Sequence, residues 1–485
     1  MNVGAPPREL RPTLPVFYRV PQRQRPSLMG YLWSSPGIAA MTVAYFVLAS
    51  EHQPPLIVNP FKVTATELGI ILLGGVVIGN NLTKSPRIDR YELAVAGVLS
   101  LLVAFPFAHL PHVRLTSYLV TAIVPAMALS AFRFQRTAAQ PRGRVLVVAL
   151  FTILAVTSAL SPDAGALKQA ITIVSAVVPI FFLAGRLDEV RLHATALAFV
   201  VLAAAESVLA IAEPFVFPHH LWGTAQVDAT GAAVPLKNSV LPSFERSQGT
   251  LGHPIPLGLL LVVALALLIR ILYDLPRPAR VSLGALLLGG LLFTGDRNSF
   301  IAALFVLLVG RGFTVERFFA GLSLGLLTVV AAITTGRLTG SLVTNFLASG
   351  SYLHRVSAFT SVPKLLFTQQ LGPTWFGNGI ASTVRIFQTG RLQTDGFNVV
   401  DNEFVSIQSQ AGVLGLVLLA LLAFAALTTC QRQLRPAVLI VVSIMFVFDS
   451  LLWPSAAAIS FLILGLALVP RSTGNARQSP RLARY

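Results

Sequence analysis

The chain has little of what a soluble protein of its length needs, above all charge. Only 11% of its 485 residues are charged, whereas 54% are hydrophobic and the mean hydropathy is +0.74. Soluble globular proteins carry about 25% charged residues, so this composition excludes that class and indicates a polytopic membrane protein. The single cysteine, Cys430, excludes an intrachain disulfide and any metal site built from cysteines.

Acidic residues are scarce as well. Nineteen Asp and Glu stand against 36 Lys and Arg, which gives a formal net charge of +17. In a soluble protein this excess would suggest a nucleic-acid partner. Here the arginines fall between apolar segments and at both termini, so membrane topology explains the excess and no nucleic acid is expected.

What the chain does have is a series of apolar runs, each about the length of a membrane-spanning helix. Fourteen candidates lie near 31–50, 65–82, 91–110, 116–133, 145–160, 165–184, 192–213, 254–274, 281–295, 298–310, 316–335, 404–429, 437–452 and 454–470. We therefore predict an all-α fold, a polytopic transmembrane bundle of about 12–14 helices. Residues 1–30 and 471–485 are expected to be basic cytoplasmic tails, the first of them disordered, and 31–470 the membrane domain.

The distribution of Lys and Arg predicts the orientation of this bundle. With a cytoplasmic N-terminus and fourteen crossings, 25 of the 36 Lys and Arg fall in cytoplasmic stretches and eleven fall outside. Seven of those eleven lie in two long loops, 214–253 and 336–403, where the charge rule has less force. Both termini are therefore expected in the cytoplasm, and both long loops outside the cytoplasmic membrane.

The outer loops carry the polar motifs of the chain. Most connections in compact domains take about 4–6 residues, so loops of this length indicate function. The first loop ends in Glu245-Arg246-Ser247-Gln248-Gly249-Thr250-Leu251-Gly252-His253, directly before a helix. An outer turn between two helices reads Thr294-Gly295-Asp296-Arg297-Asn298-Ser299. The second long loop contains Arg355 in a stretch with helical spacing, then Gly377-Asn378-Gly379, and ends at Asp401-Asn402-Glu403.

In this order the motifs resemble those of the O-antigen ligase and O-antigen polymerase family. The resemblance covers about residues 240–425. It consists of Arg-x-x-Gly before a helix, a Thr-Gly-x-Arg turn, an arginine some twenty residues before Gly-x-Gly, and a polar dyad before Gly-x-x-Gly. The resemblance implies a transmembrane glycosyltransferase of the GT-C type, which acts outside the membrane on a glycan carried by a polyprenyl diphosphate.

Residue by residue, the resemblance implies the following roles. Arg246 and Arg297 match the arginines that hold the lipid diphosphate, and Arg355 matches a further loop arginine. Asp401 stands where ligases of the family usually show histidine, which favours a polymerase or a divergent ligase. The acceptor is then a second glycan or a lipid. Membrane lipids are the other expected partners.

The chemistry of these side chains suits that role. Guanidinium groups keep their charge and bind two phosphate oxygens at once, so an arginine cluster can stabilise a departing diphosphate without a metal or another cofactor. A carboxylate at Asp401 can take the proton of an acceptor hydroxyl as a general base. Attack opposite the diphosphate would invert the anomeric centre. Asn402, Glu403 and His253 are supporting candidates because they flank these groups.

Each of these residues also has a structural interpretation. Asp401 or Asn402 could cap the helix that follows, since Asp and Asn are favoured caps. Arg297 could be an interfacial arginine paired with Asp296. Arg246 could form a solvated pair with Glu245. The glycines at 377 and 379 are more typical of turns than of phosphate binding.

A secondary transporter or flippase for a lipid-linked or anionic substrate is the alternative function. Its charged residues would lie near the middle of the bilayer on broken helices, in two matching halves. The sequence has no such repeat, and its arginines and acids gather at one interface.

The topology predicts that Arg246, Arg297 and Arg355 lie outside the cytoplasmic membrane. Single cysteines placed beside them in a Cys430→Ser background should react with an impermeant thiol reagent in intact spheroplasts, because the reagent reaches only the outer face. A cysteine introduced at 432, on the predicted cytoplasmic side, serves as the control. Labelling of the three outer positions only after lysis would contradict the orientation.

Overall fold

The computed structural model describes residues 141–163, 165–185, 187, 189–216, 236–309, 350–393 and 399–468, together with two short hairpins. In the hairpins β1 (Leu56–Val58) pairs antiparallel with β2 (Phe61–Val63), and β3 (Gln226–Val227) with β4 (Ala233–Val234). The described part is otherwise mostly helical, as the sequence predicts. The helices predicted near 31–50, 65–82, 91–110, 116–133 and 316–335 lie outside the described residues.

Twelve α-helices lie in the described part. They are α1 (Pro141–Leu160), α2 (Ala166–Ala184), α3 (Glu189–Val216), α4 (Pro254–Arg270), α5 (Arg277–Thr294), α6 (Arg297–Val309), α7 (Gly350–Phe367), α8 (Leu371–Phe376), α9 (Thr383–Gln388), α10 (Glu403–Thr429), α11 (Arg435–Met445) and α12 (Pro454–Ala467). Arg355 therefore lies on a helix, as its spacing predicts. The helix predicted over 437–452 is shorter than expected, because α11 ends at Met445 and a separate 3₁₀ turn occupies Ser450–Leu452.

Three of the described helices are long and apolar enough to cross a membrane. These stretches are Gly143–Leu160, Thr195–Val216 and Glu403–Thr429. Shorter apolar helices cover Pro254–Arg270, Arg297–Leu308, Arg435–Met445 and Ser455–Ala467. The described residues thus belong to a helical, membrane-associated chain.

Helix α4 occupies the centre of the packed helices. All of its residues except Ile269 are buried, and it packs against α3, α5, α6, α11 and α12. A helix that is apolar on every side belongs inside a bundle, since no face of it is suited to water. The N-terminal end of α4 is therefore fixed by its neighbours, and so are the residues that lead into it.

Helix α10 is broken within its candidate membrane span. Gly412 has non-helical backbone angles (φ 67°, ψ −165°), so the helical hydrogen bonds are interrupted there. The carbonyl oxygen of Ser409 accepts from the Asn378 backbone N–H at 3.0 Å, and that of Gln410 accepts from the Gly379 N–H at 2.9 Å. The segment 377–379 thus satisfies backbone groups that would otherwise be unpaired inside a bundle.

Glycine is required where these two segments cross. A Cβ on Gly412 would lie 2.4 Å from the Trp375 carbonyl carbon, and one on Gly377 would lie 2.2 Å from the Gln410 carbonyl carbon. Both glycines also have positive φ, where L side chains are strained. Gly377, which the sequence assigned to a turn, therefore has a structural role.

Gly412→Ala should lower the free energy of unfolding by at least about 2 kcal/mol, because backbone atoms have to move apart to make room for the methyl group. Gly372→Ala is the matched control, since nothing lies within 4 Å of a Cβ at that position. Thermal unfolding of the two variants in detergent, followed by size-exclusion fluorescence, measures the difference. Equal midpoints for Gly412→Ala and the wild type would contradict the described crossing.

Candidate functional site

Arg246 is fixed by contacts with the C-terminal end of α5. Its backbone N–H donates to the Leu236 carbonyl at 2.7 Å, and its Nε donates to the Thr294 carbonyl at 2.9 Å. Its Nη2 lies 4.0 Å from Asp296 Oδ1. The ion-pair partner of Arg246 is therefore Asp296, which lies in the turn between α5 and α6.

Asp296 has a second role as the N-cap of α6. Its carboxylate accepts from the backbone N–H groups of Asn298 at 3.3 Å and of Ser299 at 3.2 Å, and from the Ser299 hydroxyl. A capping carboxylate is favourable at a helix N-terminus, where the helix dipole is positive. Asp296 is thus shared between Arg246 and the first turn of α6, and its pairing with an interfacial Arg297 stays a prediction.

Two carboxylates of α3 hold the segment between Arg246 and α4. Glu213 Oε2 accepts from the backbone N–H groups of Gln248 at 2.9 Å and Gly249 at 3.0 Å. Glu206 accepts from the Thr250 backbone N–H at 3.1 Å and from its hydroxyl. Glu206 is thus a structural hydrogen-bond partner inside a helix.

Five charged groups lie in one electrostatic neighbourhood around Arg246. Burial lowers the pKa of the Arg246 guanidinium, and the charges of Arg355 and Arg297 lower it further. Asp296 and Asp401 act in the opposite direction. Such influence requires proximity, since the Debye length at physiological salt is about 8 Å. Arg246 thus lies within electrostatic range of two other arginines and two acids, which come from three other segments of the chain.

The three arginines differ in exposure. Arg297 is exposed at the first position of α6, whereas Arg246 is mostly buried. Arg355 is half-buried on α7, and its Nε is buried with no hydrogen-bond partner among the described residues. Cations that repel each other, with a guanidinium N–H left to donate, form a site that an anion would stabilise.

Asn402, and not Asp401, caps α10. Its side-chain oxygen accepts from the Val405 backbone N–H at 3.1 Å, and its Nδ2 donates to the Phe446 carbonyl at 2.9 Å. Asp401 precedes the cap, and its side chain is 25% exposed. The capping explanation for Asp401 is therefore wrong, because its neighbour satisfies the helix end.

The sequence motifs did not identify His354, which lies beside Asp401. His354 Nε2 is 3.7 Å from Asp401 Oδ2, and Gln393 Nε2 lies 3.1 Å from His354 Nδ1. Position 354 directly precedes Arg355 on α7, so the only available signal was its place next to a candidate arginine. A histidine with a carboxylate at one nitrogen is a recurrent arrangement in proton transfer.

Glu403 and His253, two of the supporting candidates, have structural roles. Glu403 is fully buried and its Oε2 accepts from the Ser450 hydroxyl at 3.1 Å and the Leu451 N–H at 2.8 Å. Nδ1 of His253 accepts from the Ile255 N–H at 3.3 Å and so caps α4. Burial, and then the charge of Arg246, lowers the pKa of His253 to about 3. His253 is therefore neutral above that pH, with the capping nitrogen occupied.

Asp449 is a further acid that sequence analysis did not select. It is buried between α11 and the 3₁₀ turn at Ser450–Leu452. Burial raises its pKa well above the ordinary value, and the charges of Asp401 and Glu403 raise it further. Asp449 therefore favours its neutral form, which leaves Asp401 as the more exposed carboxylate of this group.

The arrangement as a whole combines an anion site with a carboxylate that can accept a proton. Helices α4 and α6 both begin at this site, and the positive ends of their dipoles add to the arginine charges. No sequence profile of a known protein family matches the chain, and no curated protein matches it. The chemistry of the site therefore has to be argued from its geometry.

The different roles of Asp401 and Asn402 predict different costs of substitution. Asn402→Ala should destabilise the protein by about 1 kcal/mol or more, since it removes a cap. Asp401→Asn should change the stability by less than about 1 kcal/mol, because a partly exposed charge contributes little. Thermal unfolding of both variants in the same detergent measures the two effects, and a larger loss for Asp401→Asn would contradict the assignment.

Proposed function

We propose that this chain is a membrane glycosyltransferase that resembles O-antigen ligases and polymerases. It transfers or polymerises a glycan linked to a polyprenyl diphosphate onto an acceptor at the outer face of the cytoplasmic membrane. The reaction needs no metal and inverts the anomeric centre. Residues 31–470 form the transmembrane glycosyltransferase domain, a polytopic bundle whose outer loops 214–253 and 336–403 build the active site.

The observation that carries this proposal is the convergence of Arg246, Arg297 and Arg355 with Asp401. These residues are far apart in the sequence, yet Arg246 interacts electrostatically with each of the other three. Three guanidinium groups match a diphosphate in charge and in hydrogen-bond donors. As the glycosidic bond breaks, negative charge grows on the diphosphate, and these fixed charges stabilise it.

Asp401 supplies the second half of the chemistry. Of Asp401, Glu403 and Asp449, Asp401 is the most exposed. Glu403 accepts a hydrogen bond from the Leu451 N–H, and Asp449 is buried and favours its neutral form. A carboxylate 25% exposed beside an arginine cluster can reach the hydroxyl of an incoming sugar. The acceptor hydroxyl then attacks C1 while its proton passes to Asp401.

A secondary transporter or flippase is supported by one feature, the break at Gly412 within a candidate membrane span. In transporters, the backbone groups freed by such a break face the substrate or the coupled ion. Here the Ser409 and Gln410 carbonyls accept from the backbone of Asn378 and Gly379. The break therefore serves helix–loop packing, and transport remains the second candidate.

The proposal is tested with purified protein in liposomes, given a polyprenyl-diphosphate oligosaccharide and an acceptor glycan. Glycan products should form without nucleotide sugar and in the presence of a metal chelator. Arg297→Lys should lose nearly as much activity as Arg297→Ala, because lysine keeps the charge but not the planar pair of donors.

Two controls complete this assay. Asp401→Asn should lower the rate by a factor of about a hundred to ten thousand, the usual range for a general base. Lys364→Ala removes a cation from α7 that donates to the Gly390 carbonyl, away from the arginine cluster, and should leave the rate unchanged. Normal synthesis by Arg297→Ala, or no synthesis by the wild type, would overturn the proposal.

A further inference from the structure

His354 lies on the protein side of Asp401. The distance from His354 Nε2 to Asp401 Oδ2 is 3.7 Å, and the two side chains are 8% and 25% exposed. The carboxylate is thus the member of the pair that an acceptor can reach. The imidazole lies on the buried side of the carboxylate. This pairing joins α7 to the residue that precedes the cap of α10.

Gln393 determines which nitrogen of His354 carries the proton. Its Nε2 lies 2.7 Å from the Val399 carbonyl oxygen, which can only accept a hydrogen bond, so the amide nitrogen must be on that side. The same nitrogen lies 3.1 Å from His354 Nδ1 and 3.4 Å from His354 Nε2, so Nδ1 is the nearer of the two possible acceptors. Nδ1 is therefore the acceptor, and in the neutral ring the proton is on Nε2, facing Asp401.

We infer that His354 is a positioning residue: it directs its Nε2–H at Asp401, holds that carboxylate in place and favours its ionised form. The role as a positioner for catalysis rests on the proposed function. The 3.7 Å separation exceeds a normal hydrogen bond, and a closure of about 0.8 Å would form one. Catalytic hydrogen bonds often tighten in this way when substrate binds.

The surrounding charges explain why Asp401 needs such a partner. Asp401 and Asp449 lie within electrostatic range of each other, and two neighbouring carboxyl groups do not readily ionise together. The charge of Arg246 favours the ionised form of Asp401, but in the proposed function this cation also binds the diphosphate. His354 is a donor that remains available to Asp401 when the arginines are occupied.

The step balances without His354 changing its charge. The acceptor oxygen forms a bond to C1, the bond from C1 to the diphosphate oxygen breaks, and the electron pair leaves with the diphosphate. The hydroxyl proton goes to Asp401. His354 does not take it, because a proton on Nδ1 would point at the amide N–H of Gln393. The base is thus Asp401, and His354 acts through it.

The test measures the protonation of Asp401 directly in the full-length protein. Infrared spectra across a pH titration report the protonated carboxyl band, and the band that disappears in Asp401→Asn is the one assigned. His354→Phe keeps a ring but removes the donor, and should raise the midpoint by about one pH unit. His354→Gln keeps an N–H donor, so its midpoint should lie close to that of the wild type.

A second variant keeps the test decisive if His354→Phe does not accumulate. Gln393→Leu frees Nδ1 to hold the proton, so it should raise the midpoint in the same direction by a smaller amount. An unchanged or lowered midpoint in the folded variants would overturn the inference. In the glycan assay, the acid limb of the kcat/KM profile should move with the midpoint, which a purely structural role for His354 would not produce.

The two readouts separate this inference from the proposed function. A raised midpoint in His354→Phe, with no glycan transfer by the wild type, would support the His354–Asp401 contact and refute the transferase. If the wild type transfers glycan, and His354→Phe changes neither the acid limb of the kcat/KM profile nor the infrared midpoint, the transferase is supported and the contact is refuted.

Discussion

The site depends on how buried backbone N–H groups are satisfied at the entrance to α4. A helix surrounded by protein leaves the N–H groups before it without water, and each such group needs an acceptor. Glu213 and Glu206 supply these acceptors to residues 248–250. Buried carboxylates are costly unless they are hydrogen-bonded, so the α3 side chains and the segment they hold stabilise each other.

This constraint places the arginine cluster. Once residues 248–250 are fixed against α3, Arg246 lies beside the C-terminal end of α5, and its Nε donates to the Thr294 carbonyl. Asp296 then joins the two segments, since it caps α6 and pairs with Arg246. The exposed Arg297 follows the cap directly. The position of the cations is thus a consequence of backbone hydrogen bonding. An anion bound among them would reduce their electrostatic repulsion.

Sequence reasoning predicted the apolar helices that lie among the described residues and the order of the polar segments, because composition and apolar periodicity are local signals. It could not decide between Asp401 and Asn402 as the cap, since both residues suit that role and only the backbone distinguishes them. His354 and Asp449 were missed for a different reason. Their importance comes from contacts with Asp401 across α7 and the 3₁₀ turn, and such contacts leave no local pattern.

The central claim is that Arg246, Arg297 and Arg355 hold a diphosphate group beside Asp401. The most direct measurement is an electron cryomicroscopy structure of the full chain with a polyprenyl diphosphate bound. The account predicts diphosphate density between the three guanidinium groups, with phosphate oxygens about 2.7–2.9 Å from their nitrogens and the lipid chain leading into the membrane. Diphosphate bound elsewhere, or guanidinium groups turned away from a common cavity, would contradict it.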